Sequence, residues 1–232
     1  MNYKYLSVSA DSKTRKGEKF GYLTAILYLS PAQVAGGRNM CPFSTAGCRR
    51  VCLNLAGRGA MNMVQQARIR KTREFLADPI AFVAQLQTDI TGLIKEAKNK
   101  GLIPAVRLNG VTDVQWEKYS VMAPFPDVFN YDYTKFPAGV RKDLPKNYHL
   151  TYSHSEHPKS WERSEEWFKR GVNTAVVFAQ RLPDTYKGRP VINGDESDLR
   201  FTDPQGVYVG LKTKGKARKD DGDGFVVTSH LT

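Results

Sequence analysis

Apolar residues run without a break from Phe20 to Leu29 (FGYLTAILYL) and stop at Ser30-Pro31, the pattern of a strand buried on both faces. From Ala60 to Ala77 (AMNMVQQARIRKTREFLA) the period lengthens. Apolar positions recur at helical spacing there with no internal Gly or Pro, which predicts a helix. Asp78-Pro79 restarts the chain, with Asp78 as N-cap and Pro79 at the first helical position of a second helix that reaches about Lys100 and ends at Gly101. Beyond it the pattern shortens into strand-like runs over 103–108, 128–133, 148–152, 173–178, 190–193 and 207–211. Val114 to Met122 and Ser160 to Arg170 read as helical pieces between them. Trp116, Trp161 and Trp167 fall at helical positions as packing groups, and Met61 and Met63 read as core filling.

Strands that alternate with helices predict an α/β fold with a parallel sheet and helices outside it. About seven strands imply a partial or complete TIM-like barrel. No repeat or Ser/Gly-rich linker divides residues 1–232, so a single domain is expected. The segment Lys214 to Gly224 (KGKARKDDGDG) reads as a mobile loop.

Composition adds two constraints. Hydrophobic residues at 41% and charged residues at 25% belong to a globular chain, not a disordered or fibrous one. No apolar run reaches membrane-spanning length and the N-terminus carries no apolar signal region, so no membrane partner is expected and the cytoplasm is the expected location. The net charge of +12 fits solvated basic faces, and it also fits a small anionic ligand or nucleic acid, with Arg68 to Arg73 and Lys212 to Lys219 as the candidate phosphate contacts.

The chain's three cysteines all lie in Cys41-Pro-Phe-Ser-Thr-Ala-Gly-Cys48-Arg-Arg-Val-Cys52, within a loop of about residues 39–59 that follows the first predicted strand. An odd number of thiols cannot all pair, and thiols placed for packing would not gather in one loop. Zinc sites pair ligands at C-x2-4-C and need four, so zinc here requires a histidine such as His154. Three thiolates suit a [4Fe-4S] cluster with one iron left open. Free or redox-active thiols are the remaining reading.

In a parallel α/β barrel the active site lies at the carboxyl ends of the strands. The residues that follow the predicted strands are Arg107, Asn109 and Asp113; Asp132, Thr134 and Lys135; Ser153, His154 and Glu156; Gln180 and Arg181; Asp195; Lys212 and Lys214. Arg107, Asn109, Asp132, Ser153, His154 and Lys212 are the candidates for orienting a bound ligand. Each also has a plainer role open to it: Asn109-Gly110 as a turn, Asp113 as a helix cap, His154 as an ordinary hydrogen-bonded histidine.

The cysteine loop with Ala56-Gly57-Arg58-Gly59, together with RLNGVTDVQW (107–116), YDYTK (131–135), YHLTYSHSE (148–156) and GLKTKGKARKD (210–220), resembles uncharacterised tailed-phage proteins known as gene product eighty-eight. That resemblance implies a phage origin, hence the host cytoplasm, and brings no reaction with it. The three-cysteine loop after a first strand also resembles radical S-adenosylmethionine enzymes, whose own loop is spaced C-x3-C-x2-C. It implies a [4Fe-4S] cluster, a barrel, S-adenosylmethionine on the open iron and a reductase or other electron donor as partner. Two rivals stand beside this enzyme reading: a nucleic-acid-binding protein with a structural metal site, and a simple electron carrier.

Overall fold

A computed structural model describes residues 3–8, 12–219 and 224–227. Among these residues one mixed sheet of ten strands forms the centre. In chain order the elements are β1 (Leu6–Val8), α1 (Ser12–Glu18), β2 (Tyr22–Leu27), α2 (Ala46–Arg50), α3 (Asn62–Ala77), α4 (Pro79–Asn99), β3 (Ile103–Arg107) and β4 (Phe129–Thr134). They continue with β5 (Tyr148–Ser153), α5 (Ser160–Phe168), β6 (Thr174–Phe178), β7 (Thr185–Tyr186), β8 (Arg189–Asn193), β9 (Tyr208–Lys212) and β10 (Val226–Val227).

The strand order is β1-β2-β3-β4-β5-β6-β9-β8-β7, with β10 also on β6. Strands β2 to β6, β9 and β8 are parallel, while β1 and β7 close the two edges antiparallel. From β2 to β6 the order never reverses, so each crossover steps the same way and the carboxyl ends of consecutive strands lie side by side.

Both faces of the sheet are covered, which is why the run at β2 is continuously apolar. Leu23, Ala25 and Leu27 of β2 and Val106 of β3 pack with Phe75 of α3 and with Phe82, Leu86 and Leu93 of α4. On the opposite face Phe201, from the connection between β8 and β9, stacks on Phe129 (4.7 Å) and meets Tyr22, Tyr131 and His149 within 5.8 Å. Beside it Arg107 donates to Asp198 at 2.9 Å.

The anticipated boundaries of α4 hold in atomic detail: Asp78 accepts from the Ala81 amide at 2.9 Å, and Gly101 follows with φ of +65°. Three expectations change. Residues 114–122 form only a short 3-10 turn at Trp116–Tyr119, because Asn109 captures the Val114 amide and Ser120 ends the turn at φ +52°. The strand before the cysteine loop is the second of the chain. Strand β1 precedes it, too short for periodicity to reveal, beside a segment that Asp89 of α4 ties down by accepting from the amides of Lys4, Tyr5 and Leu6. The basic segment expected to be mobile instead holds a 3-10 turn at Gly215–Lys219 with Ala217 buried, while residues 220–223 lie outside the described residues.

The C-terminal piece also closes a gap in the sheet. Pairing of β5 with β6 ends at Ser153↔Ala175, and β10 takes the same edge with Val226↔Val177 and Val227↔Phe178. No helix among the described residues is long and apolar enough to cross a membrane.

Candidate functional site

The cysteine loop lies over the carboxyl ends of β2 to β5 and is stitched to them. Cys41 takes its place through four contacts. Its amide donates to Asn39 Oδ1 at 2.8 Å, its sulfur accepts from the Ala32 amide at 3.4 Å and donates to the Val111 carbonyl at 3.7 Å, and the neighbouring Met40 carbonyl accepts from the Asp113 amide. Cys48 sits in the single turn of α2, whose N-cap Thr45 accepts from the Cys48 amide and donates to Glu156. Glu156 also accepts from the Gly47 amide at 2.6 Å, so the segment that follows β5 fixes this turn. Cys52 is followed by a 3-10 turn fastened to α3 by Gln65 and Arg68, both bonded to Asn54.

Between loop and strand ends lies a cavity of about 100 Å³, lined by Cys41, Ser44, Cys48, Val111 to Asp113, Tyr133 to Lys135 and Ser153. Asp113 is buried beside Cys41 and is pushed up to about 6 by burial, against the pull of Arg141. The Lys135 ammonium donates to the Ser153 carbonyl, the Ser153 hydroxyl and the His154 carbonyl at 2.9–3.0 Å. All three of its protons are engaged, so Lys135 locks the ends of β4 and β5 together. The turn at Gly215–Lys219 and strand β10 cover the far side, with Val51 packed among Ala217, Val226 and Phe225.

Residues 4–228 match a family model described as gene product 88. The chain belongs to this family. Gene product 88 is a family of uncharacterised bacteriophage proteins, so membership settles kinship and leaves the chemistry to the residues. No curated protein and no solved structure matches the chain, and nothing in these comparisons supports the resemblance to radical S-adenosylmethionine enzymes.

Within this gene product 88 chain, the six residues expected to orient a ligand divide. Ser153 lines the cavity beside the thiols. Arg107 is engaged by Asp198, on the sheet face that Phe201 covers. Asn109 and Asp132 belong to a buried network: Asp132 accepts from the Asn109 amide, from Asn109 Nδ2 and from the Tyr148 hydroxyl. Lys212 is exposed at the end of β9, where its amide donates to Asp195. His154 is buried, stacks on Trp161 at 3.6 Å and shares a 2.9 Å hydrogen bond between its Nδ1 and the Ser160 hydroxyl.

Burial, then Lys135 and Lys187, lowers His154 to about 3. A depressed folded value means that the neutral ring stabilises the fold above the unfolded value of 6.5, and that this stability is lost as pH falls through the window down to about 3. The His154 ring is therefore expected to stay neutral by NMR at about pH 5, where an exposed histidine is charged.

The basic helix also changes meaning. Arg68 is buried on Asn54 and on the Tyr28 ring, Lys71 donates to the Tyr5 carbonyl, and Arg73 donates to the Ala35 carbonyl. These cations tie α3 to its surroundings, while Arg70 is exposed and pairs with Glu74 at 3.6 Å.

Among the described residues no three His, Cys, Asp or Glu side chains could hold one metal ion as placed. A cubane spreads its cysteines over three different irons, so their sulfurs stand further apart than around one ion. Cys48 and Cys52 both act electrostatically on Cys41, which places the three sulfurs in one neighbourhood. Burial pushes Cys41 up to about 12 and raises Cys52, while the Asn54 amide, Arg68 and Lys135 oppose the rise at Cys52. The groups that favour the thiolate forms are the Ala32 amide at Cys41 and the Asn54 amide, Arg68 and Lys135 at Cys52.

Proposed function

We propose that this protein holds a [4Fe-4S] cluster on Cys41, Cys48 and Cys52 at the mouth of a partial TIM-like barrel, with one iron open to a small ligand. The observation that carries this reading is the gathering of the three thiols at the carboxyl ends of consecutive parallel strands, Cys41 and Cys48 on the wall of one cavity and Cys52 close to both. When bound, the cluster supplies one-electron transfer and an iron able to accept a ligand.

The chain's own residues set the surroundings of that ligand. Lys135 brings positive charge to the cavity wall while holding Ser153 in place, so an anionic group is the favoured occupant. Asp113, with its carboxyl at about 6, is poised to hold or release a proton near neutral pH within the same cavity. S-adenosylmethionine is one candidate for the open iron, since it carries a carboxylate and an amine.

Anaerobic reconstitution with iron and sulfide tests the reading. The wild-type chain is expected to take up about four irons and as many sulfides, the stoichiometry of the cluster. The variant with Cys41, Cys48 and Cys52 all changed to Ala is expected to take up almost none. Failure of the wild type to bind iron, or equal uptake by the variant, sinks it. Electron paramagnetic resonance of the reduced protein then reports whether S-adenosylmethionine reaches the open iron, by a changed or an unchanged spectrum.

A further inference from the structure

The two methionines expected in the core are on the surface: Met61 is 52% and Met63 75% exposed. Leu53 (53%) and Leu55 (43%) are exposed in the same stretch, which begins directly after Cys52. Four large apolar side chains bared within residues 53–63 exceed the scattered single exposures of an ordinary surface. The sequence around them is basic. Between Lys19 and Arg73 the sequence holds nine Lys and Arg and no Asp or Glu. Arg58 lies exposed within the patch, and the turn at Gly215–Lys219 abuts it through Gly215 and Ala56, adding the exposed Lys216 and Arg218.

We infer that this patch, Leu53, Leu55, Met61 and Met63 with Arg58 and Arg218 at its edge, is the docking surface for an acidic electron-carrying protein. Charge complementarity selects an acidic partner, because the exposed charged residues at the edge of the patch are Arg58, Lys216 and Arg218. The apolar centre selects a protein over a nucleic acid. Residues 53–63 hold no aromatic side chain on which a base could stack, whereas Met and Arg are enriched at protein interfaces. The position selects an electron carrier: Leu53 is bonded to Cys52, so a partner seated here stands beside a thiol of the proposed cluster. That last step rests on the cluster reading above, while the surface itself does not. Small interfaces with few contacts are usual for redox encounters.

Binding of a labelled plant-type ferredoxin, an acidic redox protein, is measured by fluorescence anisotropy against full-length wild type, the pair M61S/M63S and the pair R58E/R218E. Single-stranded DNA serves as the second probe. Wild type is expected to bind ferredoxin, more weakly as salt rises, and each pair to lose about tenfold or more in affinity. The substituted side chains are exposed, so both pairs are expected to keep the wild-type melting temperature and iron content. Absence of ferredoxin binding by wild type, or equal binding by both pairs, overturns the inference. So does DNA binding that the charge reversal abolishes and the methionine pair leaves untouched. Patch-dependent ferredoxin binding by a chain that takes up no iron upholds the surface and removes the cluster. Normal iron uptake without ferredoxin binding does the reverse.

Discussion

Asn109→Ala is expected to destabilise the fold by about 4 kcal/mol, from at least two buried donors left without acceptors at about 1–3 kcal/mol each. Asn109 Oδ1 accepts from the Val114 amide at 2.8 Å, from Thr112 Oγ1 at 2.9 Å and from Trp116 Nε1 at 3.2 Å. Its Nδ2 donates to the Val114 carbonyl and to Asp132. Trp116 is fully buried, and its indole N–H has no route to water after the substitution. Asp132→Asn is the milder companion, expected to cost about 1–2 kcal/mol, since the amide keeps one acceptor for the Asn109 N–H but faces Asn109 Nδ2 with a second donor. Urea unfolding of the two variants measures both. Asn109→Ala losing less than the Asp132 variant would contradict a structural role for Asn109.

That network explains where sequence reasoning succeeded and where it stopped. The strands were legible because β2 to β6 are largely buried, and their expected boundaries lie within a residue or two of those observed. Helix α4 was legible through Asp78, Pro79 and Gly101, whose local chemistry does not depend on the rest of the fold. The convergence of Cys41, Cys48, Lys135 and Ser153 on one cavity followed from the parallel order of the strands. What the sequence could not reveal was which way each polar residue at a strand end points. Asp132 and Ser153 stand at similar places on neighbouring strands, yet Asp132 takes the register position of Leu150, on the helix-covered face, and Ser153 lies one position off that alternation. A period of two decides between network and cavity, and an uncertainty of one residue in a strand boundary erases it. Met61 and Met63 were misplaced for a related reason. Helix α3 has no strongly apolar stripe, and its core contacts come from Phe75 and from Arg68 and Thr72, buried polar residues that periodicity counts as surface.

Arg141 carries the other large effect, through charge instead of hydrogen-bond geometry alone. Its side chain is fully buried, with a paired contact to Glu117 at 2.6 and 2.9 Å, a bond to the Tyr148 hydroxyl, and Asp113 Oδ1 at 3.6 Å. Arg141→Met is expected to cost about 3–5 kcal/mol, because it leaves Glu117 and Asp113 in the interior without their counter-ion. The loss also acquires a pH dependence. Burial holds Asp113 at about 6, above its unfolded value of 3.8, while Arg141 pulls it down. A carboxyl raised in the folded state binds its proton more tightly there, so the stability it contributes is fully present below about 3.8 and is lost as pH rises through the folded value. Without Arg141 the folded value climbs further and the loss extends to higher pH. The variant is therefore expected to be closer to wild type at about pH 5 than at about pH 8 in urea unfolding. A deficit that is equal at the two pH values, or larger in acid, would separate Asp113 from Arg141 and leave the carboxyl at the thiol cavity without the cation that now restrains its titration.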